Sequence, residues 1–288
     1  MWYWLGKFES LLFYIPFLTY ASLRRIPYST RCRSCGKWLW RWENCRFGLC
    51  EKCAEEIGKS KSEGFYEDMY SGVIASDVSS LHEHLYRAVE KKVGFGKLLE
   101  VGCGSGYLLS RVQTPERDLY GMDISNAAAK TAKVHATEAS ICAADARMLP
   151  FKSDSFDWLI CLEVLEHIEG DEAIKECLRV LKPGGKALFS VPNVKGVGGR
   201  IAGHVRYFSF TSSLEYFRQA GFQITSARKM GLYIPIFTYA CEMLSLATNK
   251  NIPLNHPLGI SVPESLAITF FVECRKPSID SQPGLNPS

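Results

Sequence analysis

Residues 98–109 read Leu-Leu-Glu-Val-Gly-Cys-Gly-Ser-Gly-Tyr-Leu-Leu. An apolar run breaks at three alternate glycines and then resumes with helical character, which predicts a buried strand, a tight turn and the start of a helix. Such glycines let the backbone turn sharply and approach a ligand that a Cβ would exclude, and the first N–H groups of the helix face that ligand. The spacing is not the Gly-x-Gly-x-x-Gly of a dinucleotide fold, so the stretch alone predicts a strand-to-helix turn, with or without a ligand.

Four more strands are predicted downstream, and an acidic residue ends or follows three of them. The strand at 119–125 contains Asp123, the strand at 140–144 precedes Asp145, and the strand at 156–162 precedes Glu163. Asp123 lies 17 residues past Gly106, close to the roughly 20 expected of a carboxylate that holds a ribose hydroxyl. With a fifth strand at 186–193 and helices between strands, the pattern predicts a parallel sheet with its ligand at the carboxyl ends of the strands.

These motifs, in this order, resemble the class I S-adenosylmethionine-dependent methyltransferases. The resemblance is carried by the glycine turn, Asp123, the Asp145-Ala146 pair before Leu-Pro-Phe at 149–151, and Leu-Lys-Pro-Gly-Gly at 181–185. The chain is most similar to the methyltransferase type 11 group, which includes the ubiquinone-pathway O-methyltransferases. Over residues 65–277 the resemblance implies an α/β fold: a Rossmann-like, seven-stranded methyltransferase sheet whose last strand is antiparallel.

The same resemblance implies which residues bind S-adenosylmethionine. The glycine turn would approach the methionyl part, Asp123 would hold the ribose, and Asp145 with Ala146 would flank the adenine. The expected cofactor-binding set is Glu100, Gly102, Gly104, Gly106, Asp123, Ile124, Asp145 and Ala146. Without the resemblance, the residues indicate a nucleoside-containing ligand in a doubly wound sheet.

Glu163-x-x-Glu166-His167 is a candidate catalytic motif. If the segment is helical, positions i, i+3 and i+4 share one face, where two carboxylates and an imidazole could bind Mg²⁺ or Zn²⁺. Such a metal could lower the pKa of a substrate hydroxyl. The resemblance adds that the ubiquinone-pathway enzymes carry this pattern and are metal-assisted. Alternatively, His167 acts alone as a general base, or the three groups cap and pack the helix.

Residues 194–212 form a glycine-rich, mildly basic crossover, and loops of this length commonly carry function. Residues 204–209 look like the family's loop on the substrate side, which makes His204 a second candidate base. The alternative is a solvent-exposed loop histidine. The candidate catalytic residues are therefore His167, His204 and Glu163. The apolar insert at 231–246 could wall an apolar substrate pocket or cap the sheet.

Residues 1–30 are rich in aromatic and apolar side chains, and residues 11–23 carry no charge. This stretch is shorter than the roughly 20 apolar residues that span a bilayer, and it lacks the pattern of a signal peptide. It is either an interfacial anchor on a membrane surface or a helix that packs on the catalytic domain. Deletion of residues 1–23 would distinguish these two alternatives. The expected location is cytoplasmic, with peripheral contact to the inner face of a membrane in the first case.

Two cysteine pairs, Cys32-x-x-Cys35 and Cys50-x-x-Cys53, are separated by fourteen residues. Four thiolates suit tetrahedral Zn²⁺, and the separation is just under the usual range of about 15–20. Trp38, Trp40 and Trp42 alternate between the pairs, as on a strand with one aromatic face. The segment at 31–60 is therefore interpreted as a zinc-ribbon-like module with a structural ion. The alternative is that its basic, aromatic surface binds nucleic acid.

The 288 residues indicate one large domain or two unequal ones. Residues 1–60 carry a net charge of +5 and the remainder −1, so any attraction to phosphates or anionic lipid lies in the N-terminal part. The expected divisions are an apolar segment (1–30), the zinc-ribbon-like module (31–60), the methyltransferase domain (61–277) and a disordered tail (278–288).

The leading hypothesis is methyl transfer from S-adenosylmethionine to the oxygen of a small, apolar or lipid-like metabolite. One alternative is an RNA or protein methyltransferase that reads its substrate with the zinc ribbon. The other is a non-catalytic scaffold that binds the cofactor. The intact glycine turn and both acids argue against a scaffold.

The cysteine pattern predicts one tightly held Zn²⁺ per chain. We expect Cys50→Ser to remove most of the bound zinc, because a structural site needs all four thiolates. Elemental analysis of the purified chain measures the metal. Cys45→Ser is the matched control, since this cysteine lies outside both pairs. A folded Cys50→Ser protein that keeps its full zinc content would refute the assignment.

Overall fold

The computed structural model describes residues 29–31, 38–40, 78–193, 204–232, 263–264 and 267–278. Its elements, in chain order, are β1 (Ser29–Arg31), β2 (Trp38–Trp40), α1 (Val78–Glu90), β3 (Gly96–Val101), α2 (Tyr107–Val112), β4 (Arg117–Asp123), α3 (Asn126–His135), β5 (Ser140–Ala143), β6 (Phe156–Leu162), a 3₁₀ turn (Leu165–His167), α4 (Glu172–Val180), β7 (Leu181–Pro192), α5 (Phe210–Gln219), β8 (Gln223–Leu232) and β9 (Ala267–Arg275).

Several predictions concern residues outside these ranges. Three predicted features lie outside the described residues: the apolar segment at 1–23, the four paired cysteines and the end of the tail. The insert at 231–246 also lies outside them, apart from the last two residues of β8. Strands β1 and β2 are described, and they form an antiparallel pair that pairs Arg31 with Trp38. The pair therefore brackets the first cysteine motif in the sequence. Among the described helices, none has the length and apolar character needed to cross a membrane.

Seven strands form one sheet in the order β5-β4-β3-β6-β7-β9-β8. The first five pair in parallel, and β9 runs antiparallel to both β7 and β8. The seven-stranded sheet with an antiparallel last strand is confirmed. The chain goes outward from β3 to β5 and then returns to place β6 on the other side of β3. The crevice at this reversal is where open α/β sheets bind ligands.

Side chains on the two faces of the sheet enter two separate cores. On one face Phe189 of β7 stacks on Phe217 of α5, with ring centroids 4.6 Å apart. The neighbouring Leu188 points to the other face, where it joins Leu85 of α1 and Leu109 of α2. The alternation follows from the period of two along a strand. Both faces of a mainly parallel sheet are therefore covered by helices.

The glycine turn joins β3 to α2, and its three glycines all have left-handed backbone angles: φ is 73° at Gly102, 52° at Gly104 and 75° at Gly106. A Cβ on Gly106 would lie 2.8 Å from Cα of Ala132 in α3. A Cβ on Gly102 would overlap the Val164 side chain. The turn thus requires glycine both for its backbone angles and for the close approach of α3 and of the segment after β6.

Two local structures differ from the sequence-based expectation. Strand β7 begins at Leu181 rather than at residue 186, so the Leu-Lys-Pro-Gly-Gly segment belongs to the strand. The helix considered for residues 163–167 is only a 3₁₀ turn over Leu165–His167. Glu163 has φ 54° and its N–H donates to the Ser190 carbonyl of β7 (3.1 Å). Glu163 is therefore tied to the sheet and does not share a helical face with His167.

We expect Gly106→Ala to lower the free energy of unfolding by about 1–3 kcal/mol, because the new Cβ meets backbone atoms of α3 and the residue must keep a positive φ. Urea unfolding of the full chain, followed by circular dichroism, measures the change. Gly94→Ala is the control, since its Cβ would touch only the Trp158 side chain, at 3.1 Å, and its φ is not in the left-handed region. Equal stability of the two variants would contradict the packing argument.

Candidate active site

The expected cofactor residues lie at the carboxyl ends of β3, β4 and β5. Asp123, at the end of β4, is buried, and its two oxygens accept hydrogen bonds from different segments. Oδ2 accepts from the Gly104 N–H (2.9 Å) and Oδ1 from the Ser125 N–H (3.0 Å). Ser125 in turn caps α3 by accepting from the Ala128 N–H (3.1 Å). The carboxylate is therefore held in a fixed orientation between the glycine turn and α3.

Glu100 lies on β3, directly before the glycine turn, and is 5% exposed. Its Oε2 has no hydrogen-bond partner among the described residues. Burial raises the pKa of this carboxyl well above its ordinary value, and the negative charge of Asp123 raises it further. A buried carboxyl without a partner is either protonated or paired with a cation when it is charged. Glu100 can therefore accept a cationic ligand group.

The segment after β5 holds the remaining expected cofactor residues. Asp145 is partly exposed and accepts from the Arg147 N–H (2.8 Å) and from the Arg147 guanidinium (2.5 Å). Ala146 is buried, and Ile124 after β4 is half-buried. These residues thus lie at the ends of neighbouring strands, where a ligand can cross from β3 to β5.

Glu163 is half-buried, and its carboxyl contacts β7 and β9. Its Oε1 lies 2.7 Å from Ser190 Oγ and 2.8 Å from Thr269 Oγ1. Burial raises the pKa of Glu163, although both hydroxyls oppose the shift. The Thr269 hydroxyl also lies 2.8 Å from the Val191 carbonyl.

The Thr269 hydroxyl has one hydrogen, which it can donate to Glu163 Oε1 or to the Val191 carbonyl. The Ser190 hydroxyl donates to the same Glu163 oxygen. These hydroxyls offset part of the cost of removing the carboxyl from water. Glu163 therefore acts as a link between the turn after β6 and the two strands beside it.

Glu166, His167 and His204 come together, and their potential ligand atoms all lie within 4.8 Å of one another. The Glu166 Oε1 and His167 Nε2 atoms are 3.7 Å apart. The His167 and His204 rings meet edge to face, with centroids 4.8 Å apart. Glu166 is 1% exposed. We refer to Glu166, His167 and His204 below as the acid–histidine cluster.

Two atoms of this cluster are buried without a hydrogen-bond partner in the described part of the chain, namely Glu166 Oε2 and His204 Nδ1. Burial, and then the negative charge of Glu163, raise the pKa of Glu166 well above its usual range. Burial, followed by the proximity of His167, lowers the pKa of His204 to about 3. His204 is therefore neutral near pH 7, and its lone pair is available to a ligand or a proton donor.

The sequence predicted some of these groups but not their partners. The structure brings Glu166, His167 and His204 together, although His204 is 37 residues away in the chain, and it separates Glu163 from the two histidines. The hydroxyls of Ser190 and Thr269 were not among the candidates, since they lie inside apolar strands. The sequence contains a weak signal for them: each hydroxyl lies among apolar residues of a strand, and a buried hydroxyl needs a polar partner.

Comparison with known proteins agrees with this geometry. Residues 99–189 match the family model described as methyltransferase domain. A ubiquinone biosynthesis O-methyltransferase of Idiomarina loihiensis is 39% identical over 106 residues, which cover 34% of this chain and 44% of that protein. A probable S-adenosylmethionine-dependent methyltransferase of Mycolicibacterium smegmatis is 28% identical over 149 residues, 50% of this chain and 58% of that protein. The chain thus spans less than two thirds of the curated relatives it matches.

Solved structures show the same fold at low sequence identity. An S-adenosylmethionine-dependent methyltransferase of Thermotoga maritima, described as a possible histamine N-methyltransferase, has a TM-score of 0.52 at 18% identity, over 77% of this chain and 99% of that chain. A phosphoethanolamine N-methyltransferase of Haemonchus contortus in complex with S-adenosylmethionine has a TM-score of 0.52 at 15% identity, over 78% and 60%. The sequence match and the fold together identify residues 99–189 as a methyltransferase domain of the S-adenosylmethionine-dependent class.

Proposed function

We propose that this chain transfers the methyl group of S-adenosylmethionine to the oxygen of a small, apolar or lipid-like metabolite. The observation that carries the proposal is the acidic site at the reversal of the sheet. There Asp123 is held by the N–H groups of Gly104 in the glycine turn and of Ser125 at the start of α3, with the acid–histidine cluster on the adjoining segment after β6. One of the relatives named above is an O-methyltransferase, which supports oxygen as the acceptor atom.

On the cofactor side, each group has a role that its position supports. Asp123 has a fixed carboxylate that can accept hydrogen bonds from ribose hydroxyls. Glu100 has a buried, unpartnered oxygen that suits the ammonium group of the methionyl part, because a cation relieves the cost of a buried carboxylate. Asp145 and Ala146 lie at the next strand end, where the adenine would rest. Glycines without side chains leave room for the cofactor backbone to approach.

On the acceptor side, the cluster would orient the nucleophile and take its proton. The sulfonium already carries a good leaving group, so the protein mainly aligns the acceptor oxygen with the methyl group and excludes water. An oxygen nucleophile also needs help to lose its proton. His204, with a pKa of about 3, holds a proton poorly. His167, which is partly exposed, is therefore the better candidate for the base.

As an alternative to a free base at His167, the cluster fits a divalent cation, which would take up the lone pair of that imidazole. Its three ligand atoms lie close together, and Glu166 Oε2 and His204 Nδ1 are buried without a partner in the described ranges. Two imidazoles and one carboxylate favour Zn²⁺ or a similar transition metal over Mg²⁺, which prefers oxygen ligands. The proposed ligand set is thus Glu166, His167 and His204, while Glu163 serves the link to β7 and β9. A metal bound there would lower the pKa of an acceptor hydroxyl.

The N-terminal part extends the proposal. A structural Zn²⁺ on the four cysteines would fold the zinc-ribbon-like module, and residues 1–23 would hold the cytoplasmic enzyme at a membrane surface, where lipid-like acceptors are found. The pairing of β1 with β2 around the first cysteine motif supports a compact module at this place in the chain. If instead the module reads RNA or protein, the acceptor is a macromolecule.

The first experiment is transfer of tritiated methyl from S-adenosylmethionine to a host-cell extract, followed by separation into organic phase, RNA, protein and polar metabolites. Label in the organic phase supports a lipid-like acceptor. Label in RNA or protein overturns the proposed substrate class and assigns recognition to the zinc-ribbon-like module. Cofactor binding without label in any fraction favours the scaffold alternative.

We expect Asp123→Ala to weaken S-adenosylmethionine binding by about 100-fold or more, since hydrogen bonds to a charged group contribute about 1.5–3 kcal/mol each. Calorimetric titration of the purified full chain measures the dissociation constant. The control is Asp118→Ala, because Asp118 lies on the same strand and is exposed, with only surface contacts to Lys97 (3.8 Å) and the Tyr120 hydroxyl (3.1 Å) among the described residues. Unchanged affinity in Asp123→Ala would show that the cofactor binds elsewhere.

We expect Glu166→Gln and His167→Asn each to lower the rate of methyl transfer by about 100-fold or more, the scale of general acid–base catalysis. The affinity for S-adenosylmethionine should change by less than about twofold, because neither residue lies at the strand ends that hold the cofactor. Glu273→Gln is a matched control for the acid: it lies on β9 and pairs with Arg228 and Lys92. Full activity in both cluster variants would remove the cluster from the mechanism.

A further inference from the structure

Within the described residues, the hydrogen bonds that attach the loop carrying His204 to the rest of the site involve mainly Arg206. We propose that Arg206 is a positioning residue, which holds His204 against Glu166 and His167. The consequence for catalysis rests on the proposed function, whereas the placement of His204 by Arg206 can be measured without it.

The first attachment is between main chains. The N–H groups of Val205 and Arg206 both donate to the carbonyl oxygen of Glu166, at 2.8 and 3.0 Å. These two bonds bring the loop next to the 3₁₀ turn that bears Glu166 and His167. Both bonds end on a single oxygen atom, so a contact at a second point constrains the direction of the loop as well as its position.

The Arg206 side chain supplies that contact. Its Nη2 donates to the Gly170 carbonyl (2.6 Å), and the guanidinium also pairs with Asp171 Oδ1 (3.2 Å). The guanidinium carbon lies 4.3 Å from the centre of the Tyr216 ring on α5. One planar group thus joins the loop to the segment before α4 and to α5 at once. A guanidinium can donate in plane while it stacks on a ring, which a lysine ammonium cannot do.

His204 is in a position that needs such a hold. Its Nδ1 is buried without a hydrogen-bond partner within the described residues, and a buried, unpartnered polar atom is costly. Without an opposing hold, the imidazole would gain by turning into solvent. On the far side, Phe208 is buried and bridges to Asn193 at the end of β7. That anchor lies four residues from His204, so Arg206 is the nearer side-chain anchor.

Arg206 is only partly exposed (24%), whereas its partner Asp171 is 55% exposed. An exposed ion pair contributes little because water and salt screen it. The carbonyl of Gly170 and the ring of Tyr216 therefore provide most of the hold. For this reason Asp171→Asn should be nearly neutral, while loss of the guanidinium should not be.

The test is the rate at which diethyl pyrocarbonate modifies His204 in the full chain, measured by peptide mass spectrometry without cofactor or metal. We expect Arg206→Ala to raise this rate by about tenfold, which corresponds to the loss of one charge-assisted hydrogen bond. Arg206→Lys should give an intermediate rate, since it restores the charge without the planar group. Arg228→Ala is the matched control, because it also removes an arginine–carboxylate pair, between Arg228 of β8 and Glu273 of β9 (2.9 Å).

The rate of methyl transfer is the second measurement, and a purely structural role of Arg206 would not change it in the following way. Arg206→Ala should lower the transfer rate while the affinity for S-adenosylmethionine stays within about twofold. In a His204→Ala background, Arg206→Ala should not lower the transfer rate further, since the effects of residues that act through one another are not additive. A His204 modification rate in Arg206→Ala within about twofold of the Arg228→Ala control overturns the proposal. A wild-type chain that transfers no methyl group contradicts the proposed function instead, and the modification rates still decide the role of Arg206.

Discussion

The described domain depends on the close approach of α2 and α3 at the end of β3. Three glycines with positive φ allow it, and the Asp123 carboxylate joins the glycine turn to the start of α3 by two N–H bonds. The same contacts that pack the helices also expose the backbone and a fixed carboxylate at the reversal of the sheet. Fold and proposed cofactor site thus have one physical origin, and a side chain at Gly106 would disturb both.

The sheet could be predicted from the sequence because its signals are local. The buried strands contain short apolar runs, and an acid ends or closely follows three of them. The acid–histidine cluster could be predicted only in part. Glu166 and His167 are adjacent in the chain, but the pairing of His204 with them depends on the Val205 and Arg206 amides reaching the Glu166 carbonyl. No periodicity reports a contact of that kind.

Glu163 illustrates why spacing alone misassigned a partner. The Glu-x-x-Glu-His pattern favours a shared helical face, yet a left-handed backbone angle at Glu163 turns its side chain toward Ser190 and Thr269. A non-glycine residue in that region costs of order 1–3 kcal/mol, and hydrogen bonds to two strands offset the cost. Such strain commonly marks functional sites, and here it separates the structural acid from the acid that faces the histidines.

The position of β9 has a consequence for the order of events during synthesis. The last described strand lies inside the sheet, between β7 and β8, and its Thr269 is 106 residues away from Glu163, which it contacts. Contacts between residues so distant in sequence form slowly. On the ribosome, β8 emerges before β9, the strand that pairs with it. The contact between Thr269 and Glu163, which precedes the turn bearing Glu166 and His167, forms only when β9 inserts into the sheet. A chain interrupted before residue 267 would therefore contain the glycine turn but lack the strand whose Thr269 contacts Glu163.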